Sequence, residues 1–82
     1  MKIDLGNTNL SDGSCILLAE SLKMFPSLET LSVAGNAFDS LGANALLSLA
    51  REHTTITKIK TDQNMIKTEI QDELFAQLAK NA

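Results

Sequence analysis

Aromatic residues are scarce in this chain: only three of its 82 residues are aromatic, and all three are phenylalanine. Without tryptophan or tyrosine, the core must be built mainly from aliphatic side chains. Apolar residues make up 44% of the chain and charged residues 21%, which is typical of an ordinary globular protein and not of a disordered one. The length predicts a single small domain.

Cysteine and histidine are also rare, with one of each at Cys15 and His53. A single cysteine excludes an internal disulfide and indicates a reducing, cytoplasmic setting. A zinc site built from the usual His and Cys ligands is not expected, and no cofactor is predicted. Cys15 stands near the start of a predicted helix, where a lowered pKa would make its thiol reactive. A buried, inert thiol is the simpler interpretation.

The chain has neither an excess of basic residues nor a long apolar run. Seven Lys and Arg stand against ten Asp and Glu, for a formal net charge of −3. Nucleic acid is therefore not expected as a partner, because phosphate binding requires a basic surface. No apolar stretch approaches the roughly 20 residues of a membrane span, and the first residues do not resemble a signal sequence. No membrane contact is predicted.

The chain does contain an internal repeat, with a 28-residue period. Residues 28–38 carry the pattern L-x-x-L-x-V-x-x-N-x-F, and residues 56–66 carry I-x-x-I-x-T-x-x-N-x-I in the same register. A shorter copy, I-x-L-x-x-T-x-L, occupies residues 3–10. One position of the repeat is therefore filled in turn by Ile3, Leu31 and Ile59.

Each copy of the repeat predicts a strand, a turn and a helix. The alternating apolar residues predict a short strand whose alternate side chains point inward. Asn36 and Asn64 follow the strands, where an amide side chain can bond to backbone groups that no sheet satisfies. Thr8 replaces the asparagine in the first copy, so that turn is expected to be less well tied. The spacing of apolar residues predicts helices over residues 13–24, 41–53 and 68–80.

Each strand–helix unit is expected to bury its apolar face only by stacking on a neighbouring unit. The third helix is expected to begin with a capping box from Thr68 to Gln71 and to present a polar outer face that closes the array. The apolar residues are Ile16, Leu17, Leu18 and Leu22 in the first helix, Leu46, Leu47 and Leu49 in the second, and an inward stripe of Ile70, Leu74, Phe75 and Leu78 in the third.

These motifs resemble the ribonuclease-inhibitor class of leucine-rich-repeat proteins, and the resemblance covers nearly the whole chain. It implies an α/β leucine-rich-repeat solenoid, a segment of a horseshoe in which a parallel sheet lines the concave side. The three strand–helix repeats would span about residues 1–27, 28–55 and 56–82. Together they would form a single domain, expected to be the C-terminal part of a longer array. Residues 28–82 also resemble the last repeats of tropomodulin and leiomodin.

The resemblance implies a function without catalysis: a protein–protein interaction or scaffold module whose partner is another protein. Two alternatives follow from particular members of the class. One is actin binding or filament capping, as in tropomodulin. The other is activation of a GTPase, as in Ran GTPase-activating protein, which would need a longer crescent than three repeats. No enzymatic residue set is predicted for this chain.

The exposed strand positions on the predicted concave face are the candidate binding site. One row of this face, formed by Lys2, Thr30 and Lys58, is mildly basic and suits a partner with an acidic patch. The alternative is that the lysines only keep the face hydrated and discourage edge pairing. The full set of candidate binding residues is Lys2, Asp4, Thr30, Ser32, Lys58, Lys60 and Asp62.

The N-terminal end of the predicted array is expected to need a cover. The chain begins within the first predicted strand, and the first helix is apolar. Upstream repeats of a longer protein would cover this end. A second copy of the chain would also do so, which predicts self-association through the uncapped N-terminal end. A different protein is the third alternative.

Overall fold

The computed structural model of the chain describes residues 1–36 and 38–82. Strands and helices alternate along the chain, so the fold is α/β, as the sequence predicts. We refer to residues 1–27, 28–55 and 56–82 as units one, two and three, each of which holds one strand and one helix. The elements are β1 (Lys2–Asp4), α1 (Asp12–Leu22), β2 (Thr30–Ser32), α2 (Ser40–Glu52), β3 (Lys58–Lys60) and α3 (Thr68–Asn81).

The three strands form one parallel sheet in the order β1-β2-β3. Each helix carries the chain back to the start of the next strand, which is the connection that neighbouring parallel strands require. Ile3 pairs with Leu31, and Leu31 pairs with Ile59. The register predicted from the repeat is therefore confirmed at the strands.

The turns that follow the strands share one backbone conformation. Asn7, Gly35 and Gln63 occupy the same position of the repeat, and all have positive φ values, of 56°, 70° and 61°. Glycine and asparagine tolerate this left-handed conformation best. At Gly35 the lack of a side chain is also required by packing, since a Cβ atom there would overlap the side chain of Asn7.

The core lies between the sheet and the helices, and unit two contributes most of it. Units one and three cover unit two on its two sides, so most of its apolar side chains are buried, with Leu41, which is 64% exposed, as an exception. The predicted helix residues Leu46, Leu47 and Leu49 are all buried. The largest fully buried side chains are Phe38, Leu28, Leu31, Leu46, Leu49, Ile56, Leu74, Val33 and Cys15.

An inward orientation of the whole apolar stripe of α3 is wrong, because Phe75 is 49% exposed. Leu47, which stands one period of the repeat before Phe75, is only 3% exposed because α3 packs beside α2. The exposure of Phe75 therefore depends on whether another unit lies alongside. On α1, Ile16 and Leu17 are 41% and 71% exposed; Ile16 aligns with Asn44, which is exposed even in unit two.

The capping box predicted at the start of α3 is also wrong. Lys67 occupies the N-cap position, and no side chain accepts a hydrogen bond there. The side-chain amide of Gln71 instead donates to the hydroxyl of Thr61 at 2.7 Å. Thr61 is buried, and a buried hydroxyl needs a partner. Because the side chain of Gln71 bonds to Thr61, it does not reach back to cap the N-terminus of α3.

A carboxylate of unit one caps the helix of unit two. The Oδ1 atom of Asp12 accepts hydrogen bonds from the backbone N–H groups of Asp39 at 2.8 Å and Gly42 at 2.9 Å. These bonds, of which that from Asp39 is the largest cause, lower the pKa of Asp12 below its usual value of 3.8. The ionised side chain thus ties the two units together at the N-terminus of α2.

We expect Asp12→Asn to lower stability at neutral pH and to abolish part of its acid dependence. A lowered pKa in the folded chain means that ionised Asp12 stabilises the fold above pH 3.8. This contribution disappears as the pH falls through the lowered pKa. Urea midpoints of the wild-type and variant chains should therefore differ at neutral pH and converge in acid. Asp72→Asn, on the exposed side of α3, is the control, and an equal effect there would contradict the assignment.

Candidate functional site

The exposed face of the sheet carries the residues that the sequence predicts as a binding site. Inward-pointing Leu31 and Ile59 alternate with outward-pointing residues, as the strand geometry requires. The outward residues surround a shallow cleft of about 230 Å³. The cleft is lined by Lys2, Ile3, Asp4, Thr30, Ser32, Lys58 and Lys60.

Six of the seven candidate residues therefore meet at this one surface, to which all three strands contribute. Asp62 is the exception: it lies beyond the end of β3 and lines a second cleft at the edge of the sheet, which shares Lys58 and Lys60 with the first. We call the six residues in the first cleft the sheet-face site. They are Lys2, Asp4, Thr30, Ser32, Lys58 and Lys60.

The sheet-face site has more positive than negative charge. Three lysines stand against one carboxylate, Asp4, whose Oδ1 atom accepts a hydrogen bond from the backbone N–H of Gly6 at 3.0 Å. Within the described residues, none of these lysines forms an ion pair. Lys2 and Lys58 lie two strands apart, which places their backbones about 10 Å from each other. The site can therefore bind two carboxylates of one acidic segment.

Asn36 holds the turn beside the sheet together, as predicted from the sequence. Its Oδ1 atom accepts from the backbone N–H groups of Thr8 at 3.0 Å and Leu10 at 2.9 Å. Its Nδ2 atom donates to the carbonyls of Leu5 at 3.0 Å and Val33 at 2.8 Å. One side chain thus satisfies four backbone groups, three of which belong to the preceding unit.

Asn64 repeats half of this arrangement one unit later. Its Nδ2 atom donates to the carbonyls of Val33 at 2.9 Å and Thr61 at 3.2 Å. Its buried Oδ1 atom has no hydrogen-bond partner among the described residues. Thr8, at the same position in unit one, bonds through its hydroxyl only to the carbonyl of Leu5, at 2.7 Å, and to Asn36. Both asparagines therefore donate to a backbone carbonyl of their own unit and to one of the preceding unit.

A larger cleft, which the sequence analysis missed, lies at the free edge of β3. It measures about 380 Å³ and runs between the strand and α3. The strand side carries Lys58 and Asp62, and the helix side carries Phe75, Leu78 and Ala79. The expected polar outer face of α3 is thus interrupted by an apolar groove. The register of the repeat could have revealed this groove. It aligns Phe75 with Leu47, which is buried because a neighbouring helix covers it.

Cys15 is an inert thiol and not a reactive one. It is fully buried between α1 and α2, and its Sγ atom donates to the carbonyl of Gly42 at 3.6 Å. Burial, together with the nearby charge of Asp12, raises the pKa of this thiol to about 11. A reactive cysteine needs the opposite shift. Within residues 1–36 and 38–82, no three His, Cys, Asp or Glu side chains are grouped so as to hold a metal ion.

Comparison of the chain with protein families and with characterised proteins finds no match. The function of the chain is therefore inferred from the geometry of the two clefts and the polar contacts around them. In the described part of the chain, every helix is too short or too polar to cross a lipid bilayer.

Proposed function

We propose that this chain is a leucine-rich-repeat solenoid segment that binds another protein, without catalysis, in the cytoplasm. The sheet-face site is the proposed binding surface and would form the concave side of the solenoid. The proposed partner presents an acidic segment, because an excess of lysine favours a negatively charged partner and speeds its encounter. The ribonuclease-inhibitor class remains the repeat class that the motif resembles.

One observation carries this proposal: residues from three strands, far apart in the sequence, line one surface with unpaired lysines. Lys2, Lys58 and Lys60 come from units one and three, and Thr30 and Ser32 of unit two lie between them. Neither tryptophan, tyrosine nor arginine contributes to the surface, and those residues anchor most tight interfaces. We therefore expect weak binding that depends on salt concentration.

We expect the double substitution Lys58→Glu/Lys60→Glu to reduce binding of an acidic peptide by at least about tenfold, because two attractive charges become repulsive. The probe is a fluorescently labelled poly-glutamate peptide, titrated with the chain at low salt and followed by fluorescence anisotropy. Affinity for the wild-type chain should fall as salt is added. Lys67→Glu/Lys80→Glu, which makes the same charge change at two exposed lysines that line neither cleft, is the matched control.

Loss of binding in the control alone would contradict the sheet-face site, as would an unchanged affinity of the double variant. The two alternatives from the resemblance need other probes. Co-sedimentation with actin filaments tests filament binding, and the rate of GTP hydrolysis by a small GTPase, with and without the chain, tests GTPase activation. A positive result in either assay would replace the general binding role with that specific one.

A further inference from the structure

We propose that copies of this chain associate head to tail, with the free edge of β1 in one copy continuing the sheet from the free edge of β3 in another. The inference rests on the observed register of strands and helices and not on the proposed binding function. The edge groove at β3 and α3, defined by Phe75, Leu78 and Ala79 with the strand, would receive α1 and β1 of the second copy.

The backbone groups at the two free edges match. Within one chain, the N–H of Val33 donates to the carbonyl of Lys60 on the next strand at 2.9 Å. Thr61, one period of the repeat after Val33, presents the equivalent N–H at the free edge, and no described residue accepts from it. Asp4, two periods before Lys60, presents the equivalent carbonyl at the free edge of β1. A second copy in the same register would pair these two groups.

The apolar groups at the two ends also match. Glu73 on α3 contacts Arg51 on α2 at 4.0 Å, so this position of the repeat faces the preceding helix. Leu17 holds the same position on α1 and is 71% exposed. Ala79, one period after Arg51, lines the edge groove beside the half-exposed Phe75. Stacking a second copy in this register therefore brings its Leu17 towards Ala79 and covers Phe75, since the equivalent Leu47 is buried where α3 packs beside α2.

Charges at the junction set its strength. Continuing the sheet places Lys60 of one copy beside Asp4 of the next, at the usual strand spacing of about 4.8 Å. The same register places Lys58 beside Lys2, which opposes association. Thr8 also occupies the position at which Asn36 and Asn64 bond to the preceding unit, so the junction lacks this amide contact. The junction is therefore weaker than the contacts between units within one chain, and association is reversible.

The two surfaces in this contact are different, so each added copy leaves one of each free. Such a contact produces open chains or rings and does not stop at a dimer. Sedimentation equilibrium over a concentration series reaching millimolar is the test. We expect the average mass of the wild-type chain to rise continuously above 8.8 kDa. A constant mass of one chain at every concentration would overturn the proposal and assign the groove to a different protein.

Substitutions at the two ends test the contact itself. Leu17→Lys and Phe75→Lys should each weaken self-association at least about tenfold, because each places a charge in the apolar contact. In an equimolar mixture, the variant changed at Leu17 still has Phe75, and the variant changed at Phe75 still has Leu17. One intact junction can therefore form between the two variants. In the same mixture the two altered ends carry like charges and repel each other. We therefore expect the mixture to form dimers and nothing larger. A mixture that stays monomeric would contradict head-to-tail contact.

Two further variants serve as a control for the added charge and as a test of the register. Leu41→Lys replaces a leucine of α2 that is 64% exposed even with helices on both sides, so it should leave self-association unchanged. Lys2→Glu converts the repulsion with Lys58 into attraction and should strengthen self-association. Circular dichroism establishes that each variant is folded. Weakened association in Leu41→Lys, or no gain in Lys2→Glu, would count against the proposed register.

Discussion

Replacing Leu31 with alanine is expected to unfold most of the chain near physiological temperature. Leu31 lies in the central strand, is fully buried and pairs with Ile3 and Ile59 on either side. Truncating a buried leucine costs about 2–5 kcal/mol because contacts are lost and a cavity remains. A domain of this size has a free energy of unfolding of only about 4–12 kcal/mol. The loss is therefore a large share of the total.

Thermal melts followed by far-ultraviolet circular dichroism measure this effect. We expect the melting temperature of Leu31→Ala to fall by about 10 °C or more. Leu41→Ala removes the same atoms from a side chain that is 64% exposed, and its melting temperature should hardly change. Equal losses in the two variants would mean that Leu31 does not occupy the core position assigned to it.

Replacing Asn36 with alanine is expected to produce the second-largest loss of stability. The substitution removes four hydrogen bonds and leaves the N–H groups of Thr8 and Leu10 without a partner among the described residues. The carbonyls of Leu5 and Val33 each keep one donor, the hydroxyl of Thr8 and the amide of Asn64. Asn36 is only 8% exposed, so water replaces these bonds poorly. Unsatisfied buried polar groups cost about 1–3 kcal/mol each when they stay dry. Partial hydration leaves an expected total of about 2–4 kcal/mol.

Asn64→Ala is the matched comparison for this effect. Asn64 has the same place in unit three, but only its Nδ2 atom forms hydrogen bonds with described residues. Its loss should therefore cost about half as much as the loss of Asn36. Urea denaturation of both variants gives the two free energies of unfolding. An Asn64→Ala variant as unstable as Asn36→Ala would show that the number of bonds does not govern stability here.

The Asn36 and Asn64 variants also bear on the head-to-tail contact. The asparagines tie each unit to the one before it, through bonds to Leu5 and Val33. At the junction between two copies, Thr8 takes this place and bonds within its own unit. Contacts within one chain do not depend on concentration, whereas the junction between copies separates on dilution and also lacks the amide bonds.

The residues of the sheet-face site could be placed on one face from the sequence, whereas the edge groove was indicated only by the alignment of Phe75 with Leu47. Strand residues alternate between the two faces, so knowing that Leu31 points inward places Thr30 and Ser32 outward. The period of the repeat then puts Lys2 and Lys58 in the same row. Asp62 falls outside the site because the chain turns after β3 and points it toward the sheet edge. Periodicity does not state where a strand ends.

The sequence by itself determined the α/β class, the pairing of Ile3, Leu31 and Ile59, and the turn positions of Asn36 and Asn64. These features repeat locally, and each depends on residues within one unit and the shift to the next. Only the tertiary structure decided that Leu47 is buried while Phe75 is half exposed, and that Gln71 bonds to Thr61. Burial depends on what lies beside a unit, and hydrogen bonds depend on which groups folding leaves dry, so neither can be determined from spacing alone.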